Sequence, residues 1–346
     1  MGQISSAPSR SATLRDVAEL SGVSVSTVSR VLNDVANAAS PVTIERIMSA
    51  VRTLSYVPNM QAAGLRKQAP GAVGFIVPDI SNPFFAGIAL TLEHSLLERG
   101  QGLLLANTGN STDLERKYVR MMSEKRVAAL IVAPTSDKKD HLEAIRKLGI
   151  RLVLIDSRVT GLDVDCVLVD DHAAVERAVS YLTRLGHTRI GYISGHLRIK
   201  ADVDRMEGWQ SAVAKAGLEN RPELTSPGDF TVSGGYQAAA RLWALDDPPT
   251  AIVAANNFMA IGVLRWAQTN DVKIPQQLSL ISFDDMDWFD LVEPGLTAIR
   301  QPVQEIGNLI SDLLGGVSDG GASVPYVLPT QMVVRGSTAS PAPSRI

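Results

Sequence analysis

From about residue 71 onward, short apolar runs alternate with segments that have a helical pattern. The runs are Val73–Val77, Leu103–Ala106, Ala129–Ala133, Leu152–Ile155, Val167–Val169, Ile190–Ile193, Ala251–Ala254 and Leu280–Phe283. Helical segments such as Phe84–Arg99 and Ala173–Leu185 separate them. This alternation is typical of parallel sheets with helices on both faces. Because so many units exceed one sheet, we predict an α/β core of two similar parallel-sheet lobes.

Polar side chains follow several of these predicted strands. They are Asp79, Ser81, Asn82, Asn107, Asp156, Ser194, Asn256, Asn257, Asp284 and Asp285. Ligands of open parallel sheets bind beyond the carboxyl ends of the strands, so two facing lobes would bring these residues to one cleft. Carboxylates and amides, with a guanidinium and aromatic rings, recognise polyhydroxylated ligands such as sugars. Any single Asp or Asn there is equally explained as a turn former or a helix cap.

The first seventy residues have a different, purely helical pattern. Leu14, Val17 and Ala18 form a short apolar stripe. Gly22 suits the left-handed residue that ends such a helix, and Ser24 can cap the next one. A third helix is expected from about Pro41 to Leu54. Two short helices joined by a turn that contains glycine are the helix-turn-helix pattern, so we predict an all-α helix-turn-helix headpiece.

The outward face of the second helix suits contact with DNA. Arg30 can bond bidentately to guanine, Val25 can pack on a thymine methyl group, and Ser26 can bond to several bases. Short donors suited to phosphate oxygens complete the face, at Ser24, Thr27, Ser29 and Asn33. The same pattern alone would also fit an ordinary three-helix surface domain.

Charge and composition agree with a DNA-binding end on a larger body. The first 68 residues carry seven Lys and Arg against four Asp and Glu, a balance of +3, so the remainder carries −6 of the total of −3. A basic module on an acidic body suits a protein that touches phosphates with one end only.

The chain shows no pattern of a secreted, membrane or metal-binding protein. Cys166 is its single cysteine, which excludes an intramolecular disulfide framework. Residues 1–12 contain no apolar segment of a secretory signal, and no apolar run is long enough to span a bilayer. The histidines form no metal-ligand spacing. We therefore expect a cytoplasmic protein with no membrane contact, no metal and no cofactor.

Dense motifs in the headpiece resemble those of the lactose-repressor (LacI/GalR) family. They are Thr13–Ala18, Gly22–Asn33 and Tyr56–Asn59. Further matching motifs in the body are Ile76–Phe85, Leu185–Gly191, Arg205–Trp209, Asn256–Gly262, Phe283–Asp285 and Leu296–Pro302. The resemblance covers Thr13 to about Thr338. It implies a core like that of periplasmic sugar-binding proteins.

The resemblance also assigns roles to individual residues. It implies a hinge helix that orders on the operator, with Leu65 wedged into the minor groove and with Ala62 and Asn59 one and two turns earlier. An apolar wedge of this kind can unstack a base step and kink the duplex. The effector's polar groups are expected at Arg205, Asn256 and Asp284, with Asp156 and Ser81 in second rank. Its apolar face is expected at Phe84, Phe230 and Trp288, although a core role for Trp288 is an equal expectation.

These observations define the expected domains. They are a disordered leader (1–12), the headpiece (13–58), a hinge helix and linker (59–70), an effector-binding and dimerisation core (71–338) and a disordered tail (339–346). Within the core, lobe 1 is expected at about 71–169 plus 299–324, and lobe 2 at about 170–298 plus 325–338.

The expected function is a homodimeric repressor that binds a near-palindromic operator and responds to a small sugar-like effector. An enzyme is the first alternative, but the P-loop and His-Glu-x-x-His patterns are absent from the sequence. A solute-binding receptor of a transport system is the second alternative, because the body alone would fit it. Such a receptor would carry an export signal where this chain carries the headpiece.

Overall fold

The computed structural model describes residues 12–33, 35–56, 71–316 and 325–342. The chain divides into two compact units, one up to Ala69 and one from Pro70 onward. Residues 1–11 of the expected leader, and the expected hinge with Asn59, Ala62 and Leu65, lie outside the described residues.

The first unit is a three-helix domain, as predicted. Its helices are α1 (Leu14–Ser21), α2 (Val25–Leu32) and α3 (Pro41–Thr53). Thr13 caps α1 in a reciprocal capping box with Asp16, and Gly22 ends the helix at a φ of 66°. The three helices bury one small apolar core around Val17, Val28 and Ile47.

The second unit contains two six-stranded sheets with equivalent strand order. The first consists of β1 (Val73–Val77), β2 (Leu103–Asn107), β3 (Ala129–Val132), β4 (Arg151–Ile155), β5 (Asp165–Val169) and β11 (Pro325–Leu328). The second consists of β6 (Ile190–Ser194), β7 (Thr225–Pro227), β8 (Ala251–Ala254), β9 (Ser279–Phe283), β10 (Thr297–Arg300) and β12 (Gln331–Val333). The first sheet has the order β11-β5-β4-β3-β1-β2 and the second β12-β10-β9-β8-β6-β7. All neighbours run parallel except β10 and β12.

Helices separate the strands and cover the sheets. In lobe 1 they are α4 (Pro83–Glu98), α5 (Thr112–Glu124), α6 (Asp140–Lys147) and α11 (Val303–Leu314). In lobe 2 they are α7 (Asp171–Arg184), α8 (Lys200–Lys215), α9 (Val232–Trp243) and α10 (Asn257–Thr269). The alternation of buried strands and helices therefore produces two similar α/β lobes, and this prediction of fold class is confirmed.

The chain crosses between the lobes at positions that differ slightly from those expected. Lobe 1 was expected to resume at about 299, but β10 extends to Arg300 and pairs with β9 in lobe 2. Lobe 2 was expected to resume at about 325, but Pro325–Leu328 pairs with β5 in lobe 1. Both boundaries are wrong by a few residues because pairing with a distant strand, not the local pattern, decides to which sheet a short strand belongs.

The expected tail is hydrogen-bonded to lobe 2 at its first residue, Ala339, so the prediction of disorder is wrong at this residue. The Ala339 N–H donates to Ser279 Oγ at 3.1 Å. The Ala339 carbonyl lies 2.9 Å from Nε2 of the buried His187, with which it is hydrogen-bonded. A Ser- and Pro-rich composition predicts disorder, but here backbone groups find hydrogen-bond partners on the folded lobe.

Candidate functional site

Helix α2 presents the residues predicted to read DNA. Val25, Ser26 and Arg30 are exposed, while Val28 and Val31 face the core. Within the described part of the chain, the Arg30 guanidinium makes no hydrogen bond or ion pair with another residue. The geometry leaves this side chain available for a base edge.

The shorter donors of this face already have roles in the helix. Ser24 Oγ accepts the Thr27 N–H at 3.1 Å and so caps α2. Asn33 Nδ2 donates to the Ser29 carbonyl at 2.6 Å at the other end. Thr27 and Ser29 are half-buried. These four side chains can still donate to a phosphate, but each would do so while keeping its hydrogen bond within the helix.

Arg46 supports the turn between α1 and α2, a role that the sequence analysis missed. Its Nη2 donates to the Ser21 carbonyl at the end of α1. A Cβ at Gly22 would come within 2.8 Å of that same Nη2. The turn therefore favours glycine because of its positive φ, and a Cβ there would also displace the end of the Arg46 side chain.

A pocket of about 690 Å³, part of it open to solvent, lies between the two lobes. Its walls come from both sheets, beyond the carboxyl ends of their strands. Six of the eight predicted effector residues line it, namely Phe84, Asp156, Arg205, Phe230, Asn256 and Asp284. The polar strand ends thus converge on one cleft, as the alternation of strands and helices predicts.

Ser81 and Trp288, the other two predicted effector residues, lie outside this lining. Ser81 is exposed and its Oγ donates to Asp79 Oδ1 at 2.7 Å. Trp288 packs edge-on against Phe289, with 4.7 Å between ring centroids, and borders the main apolar core. The structure therefore gives Trp288 the core role that was its alternative.

Arg205 is held rigidly at the base of the pocket. Its Nε donates to Asp171 Oδ1 at 2.6 Å and its Nη1 to the Ala255 carbonyl at 2.8 Å. Its Nη2 lies 3.7 Å from Asp156 Oδ1. The guanidinium carbon stacks 3.7 Å from the centre of the Phe283 ring. Nε and Nη1 thus donate hydrogen bonds to the protein, Nη2 is within ion-pair range of Asp156 without a hydrogen bond, and one face of the cation stacks on Phe283.

Buried carboxyl groups surround this arginine. Burial raises the pKa of Asp156 to about 6 and that of Asp171 to about 7, against the opposing attraction of Arg205. Burial likewise raises the pKa of Asp202 to about 6. Removal from water favours the neutral form of a carboxyl group. These carboxyl groups therefore keep a proton to higher pH than exposed carboxyl groups do. Asp171 and Asp202, both missed by the sequence analysis, sit behind the pocket wall.

Asp284 is held by a second group of polar side chains. It follows β9 with a left-handed φ of 68°. Gln301 Nε2, at the crossing from β10 to α11, donates to its Oδ1 at 2.6 Å. Gln301 also lines the pocket. Gln301 lies within the Leu296–Pro302 motif, but no role was predicted for it.

Two asparagines cap helices and line the pocket at once. Asn256 Oδ1 accepts the Met259 N–H at 2.9 Å and caps α10, and Asn82 caps α4 through the Phe84 N–H. Asn257 Nδ2 donates to Asn82 Oδ1 at 2.9 Å, which links the two lobes. Asn256 and Asn82 therefore each have both roles, that of a helix cap and that of a pocket residue.

Further contacts hold the lobes together beside the pocket. Arg198 of lobe 2 donates to the Thr135 carbonyl at 3.1 Å and to the Asn110 carbonyl at 2.8 Å, both in lobe 1. The Ala201 N–H donates to Ser157 Oγ at 3.3 Å. The two lobes are therefore in direct contact beside the pocket.

The described ranges contain neither a candidate metal site nor a helix that could span a membrane. Within those ranges, no three His, Cys, Asp or Glu side chains come together as a group that could hold a metal ion. None of the helices found there is both long and apolar enough to cross a membrane.

Comparison with known proteins identifies both units. Residues 13–59 match the family described as bacterial regulatory proteins, lacI family, and residues 179–338 match a periplasmic binding protein-like domain. The chain is 32% identical over 332 residues to the HTH-type transcriptional regulator GalR of Escherichia coli (strain K12), covering 95% of this chain and 96% of that protein. It is 32% identical over 312 residues to the HTH-type transcriptional repressor PurR of Vibrio cholerae serotype O1 (strain M66-2), covering 89% and 92%.

A similar solved structure is that of a LacI family transcriptional regulator from Enterococcus faecium with bound ribose. It superposes with a TM-score of 0.71 at 27% identity and covers 78% of this chain and 99% of that one. The resemblance drawn from the motifs is confirmed, and so is the periplasmic-binding-protein-like fold. Because the relatives are transcriptional regulators, neither an enzyme nor a solute receptor is supported.

Proposed function

The chain belongs to the lacI family of bacterial regulatory proteins, and from this membership we propose that it is a cytoplasmic, homodimeric repressor controlled by a sugar-like effector. The observation that carries the proposal is the pocket lined from both lobes in a chain that also has a helix-turn-helix unit. One end reads a near-palindromic operator, and the other binds the small molecule that regulates that reading.

The residues of the pocket support a sugar-like effector. Carboxylates, amides and one guanidinium supply polar groups for hydroxyls, while Phe84 and Phe230 supply apolar faces. The Enterococcus faecium relative was solved with ribose.

The effector acts by shifting the balance between two arrangements of the lobes. Its site is built from both, so a change in their angle changes its contacts. A ligand shifts such a balance only by its difference in affinity for the two states. In our proposal, the change passes to the operator through the hinge at residues 59–70, which lie outside the described part of the chain.

An exposed apolar face of lobe 1 supports pairing with a second copy. Leu90 and Leu97 on α4 are 57% and 70% exposed, and Leu104 and Leu105 on β2 are 39% and 43% exposed. Strand β2 is the edge of its sheet. An apolar face beside an unpaired strand edge is a typical interaction surface. Pairing also places two headpieces on two half-sites, which a palindromic operator requires.

Replacing Leu97 with glutamate should convert the dimer to a monomer in sedimentation experiments. Operator affinity should fall by about 100-fold, since the second half-site contact is no longer intramolecular. The control is Leu148→Glu, which adds the same charge at a leucine that is 67% exposed just after α6. A Leu97→Glu protein that stays dimeric would place the interface elsewhere.

The regulatory function itself is tested by selecting bound sequences from random DNA with the full chain. We expect a near-palindromic site, with both halves protected in footprints. Adding a bound effector should change operator affinity. Protection of one asymmetric half-site, or operator binding that no ligand alters, would contradict the proposal.

Arg30→Ala should relax base preference at one symmetric position of the operator by about 1–3 kcal/mol. The reason is loss of a bidentate contact to guanine. Arg15→Ala is the matched control, because it removes another exposed arginine, from α1. The measurement is the affinity for every base at each operator position. Equal weakening on all sequences would make Arg30 a phosphate contact.

A further inference from the structure

Arg198 reaches from lobe 2 to two separate loops of lobe 1. Its Nε donates to the Thr135 carbonyl at 3.1 Å, and its Nη2 donates to the Asn110 carbonyl at 2.8 Å. Thr135 follows β3 and Asn110 follows β2. Because both loops belong to lobe 1, opening of the cleft moves the two acceptors away from Arg198 together. Hydrogen bonds of this kind do not extend much beyond about 3.2 Å, so both are lost in a more open arrangement.

The Thr135 carbonyl is a fixed acceptor within lobe 1. The Thr135 N–H donates to Oε2 of Glu115 at 2.6 Å, and Oε1 of the same carboxyl group lies 2.6 Å from His141 Nε2. Glu115 is fully buried, and the His141 side chain is 7% exposed. The Thr135 hydroxyl also lies 3.1 Å from the Thr112 hydroxyl. Because buried hydrogen bonds are costly to break, this peptide stays with lobe 1 when the lobes move.

The loop that carries Arg198 is fixed within lobe 2. It begins at Gly195, whose N–H donates to Asp202 Oδ1 at 3.1 Å. It ends at the buried Ile199, whose N–H donates to the His196 carbonyl at 2.8 Å. Arg198 therefore joins two fixed loops, and its own hydrogen bonds are the contacts that break when the cleft opens.

Arg198 differs from other contacts between the lobes because it stands apart from the pocket. Asn82 accepts a hydrogen bond from Asn257 of lobe 2 and also lines the pocket, as does Asp156, which faces Arg205. Arg198 is exposed and is not among the described residues of the lining. A change at Arg198 therefore alters the contact between the lobes and leaves the pocket walls in place.

We infer that Arg198 is a latch that holds the lobes in the closed arrangement, in which they touch beside the pocket, and that it thereby sets the operator affinity of the protein before any effector binds. The latch joins protein atoms only, so it stabilises this arrangement without a contribution from a ligand. The balance between two conformations also fixes the apparent affinity of any ligand that prefers one of them. The part of the inference that concerns operator affinity rests on the proposed function, and the latch itself does not.

The latch is tested by measuring the distance between the lobes in the full chain without added ligand. Lys117→Cys on α5 and Gln210→Cys on α8 provide exposed positions for a donor and an acceptor dye, one on each lobe. Labelled chains are exchanged into an excess of unlabelled protein, so that energy transfer occurs within one chain. The parent protein without the new cysteines controls for labelling of the buried Cys166.

Arg198→Ala should add a second, more open population and lower the ratio of closed to open molecules by about tenfold or more, because two hydrogen bonds from a charged donor are lost. Arg198→Lys should give an intermediate ratio, since an ammonium group lacks the fork that reaches both carbonyls. Arg221→Ala is the matched control, because both ion pairs of Arg221 lie within lobe 2. Thermal denaturation of the same preparations shows that each variant is folded.

An unchanged distance distribution in folded Arg198→Ala, or the same shift in Arg221→Ala, would overturn the latch. Operator affinity without ligand should change at least about threefold in Arg198→Ala and stay constant in Arg221→Ala. A shifted distance with constant operator affinity would support the latch and refute its effect on DNA binding. Absence of a specific operator would instead contradict the proposed function, and the distance measurement would still decide whether Arg198 is a latch.

Discussion

Replacing Arg205 with alanine should destabilise the core by about 3–5 kcal/mol and abolish the response to effector. The guanidinium is the buried partner of Asp171 and Asp156, and its removal leaves their charges uncompensated. Chemical denaturation of the core and effector-dependent operator release are the measurements. Arg221→Ala is the control, since Arg221 pairs with Glu223 and Asp247 on the surface and its loss should change stability little.

A double variant separates stability from ligand binding. Arg205→Met with Asp171→Asn removes both charges of the closest pair, and replacing a buried pair together costs far less than breaking it. We expect most of the lost stability to return while the effector response stays absent. A double variant that regains the response would show that Arg205 only supports the fold. Retention of full stability by Arg205→Ala would contradict the buried-pair account.

Replacing Asp202 with asparagine should flatten the dependence of stability on pH. Asp202 is fully buried, its Oδ1 accepts the Gly195 N–H at 3.1 Å, and its Oδ2 has no partner among the described residues. Burial raises its pKa from 3.8 to about 6. The folded state therefore binds the proton more tightly than the unfolded state. Stability should fall as pH rises from about 4 to about 6, and the loss is complete above that range.

Asparagine is neutral at every pH and can keep the Gly195 hydrogen bond. Asp202→Asn should therefore be more stable than the parent protein at pH 8, by up to about 3 kcal/mol for two pKa units. Part of the pH dependence should remain, because burial raises the pKa of Asp171 and Asp156 as well. The measurement is the free energy of unfolding from pH 4 to 8. Asp163→Asn, at an exposed position, is the control, and a matching profile in both variants would refute the assignment.

Eight strands of the core could be predicted because each is a short apolar run, and all of them except Leu103–Asn107 are buried along most of their length. Four could not, namely Thr225–Pro227, Thr297–Arg300, Pro325–Leu328 and Gln331–Val333. These strands have three or four residues, and two of them are partly exposed along their length. Hydrogen bonds to strands far away in the chain make them strands, and no local pattern carries that information.

The residues in and behind the pocket wall also divide into some that could be predicted from the sequence and some that could not. Asp156, Asn256 and Asp284 were predictable, since each directly follows a recognisable strand. Gln301 and Asp171 were not, because they lie where the chain crosses between lobes and their neighbours are 17 and 34 residues away. Ser81 follows a strand as well, yet it points its hydroxyl at Asp79 instead of lining the pocket.

The strand and helix pattern from residue 71 onward, and the helix-turn-helix before it, were determined by the sequence itself. Periodicity, caps and turn residues act over a few neighbouring positions and can be read locally. Tertiary structure decided which strands pair in the two sheets and where the chain crosses between the lobes, at Asp170, at Gln301 and after Leu328. It also decided which strand-end residues share one pocket. Long-range pairing and burial select among the many polar strand ends, and those energies depend on partners that are distant in the sequence.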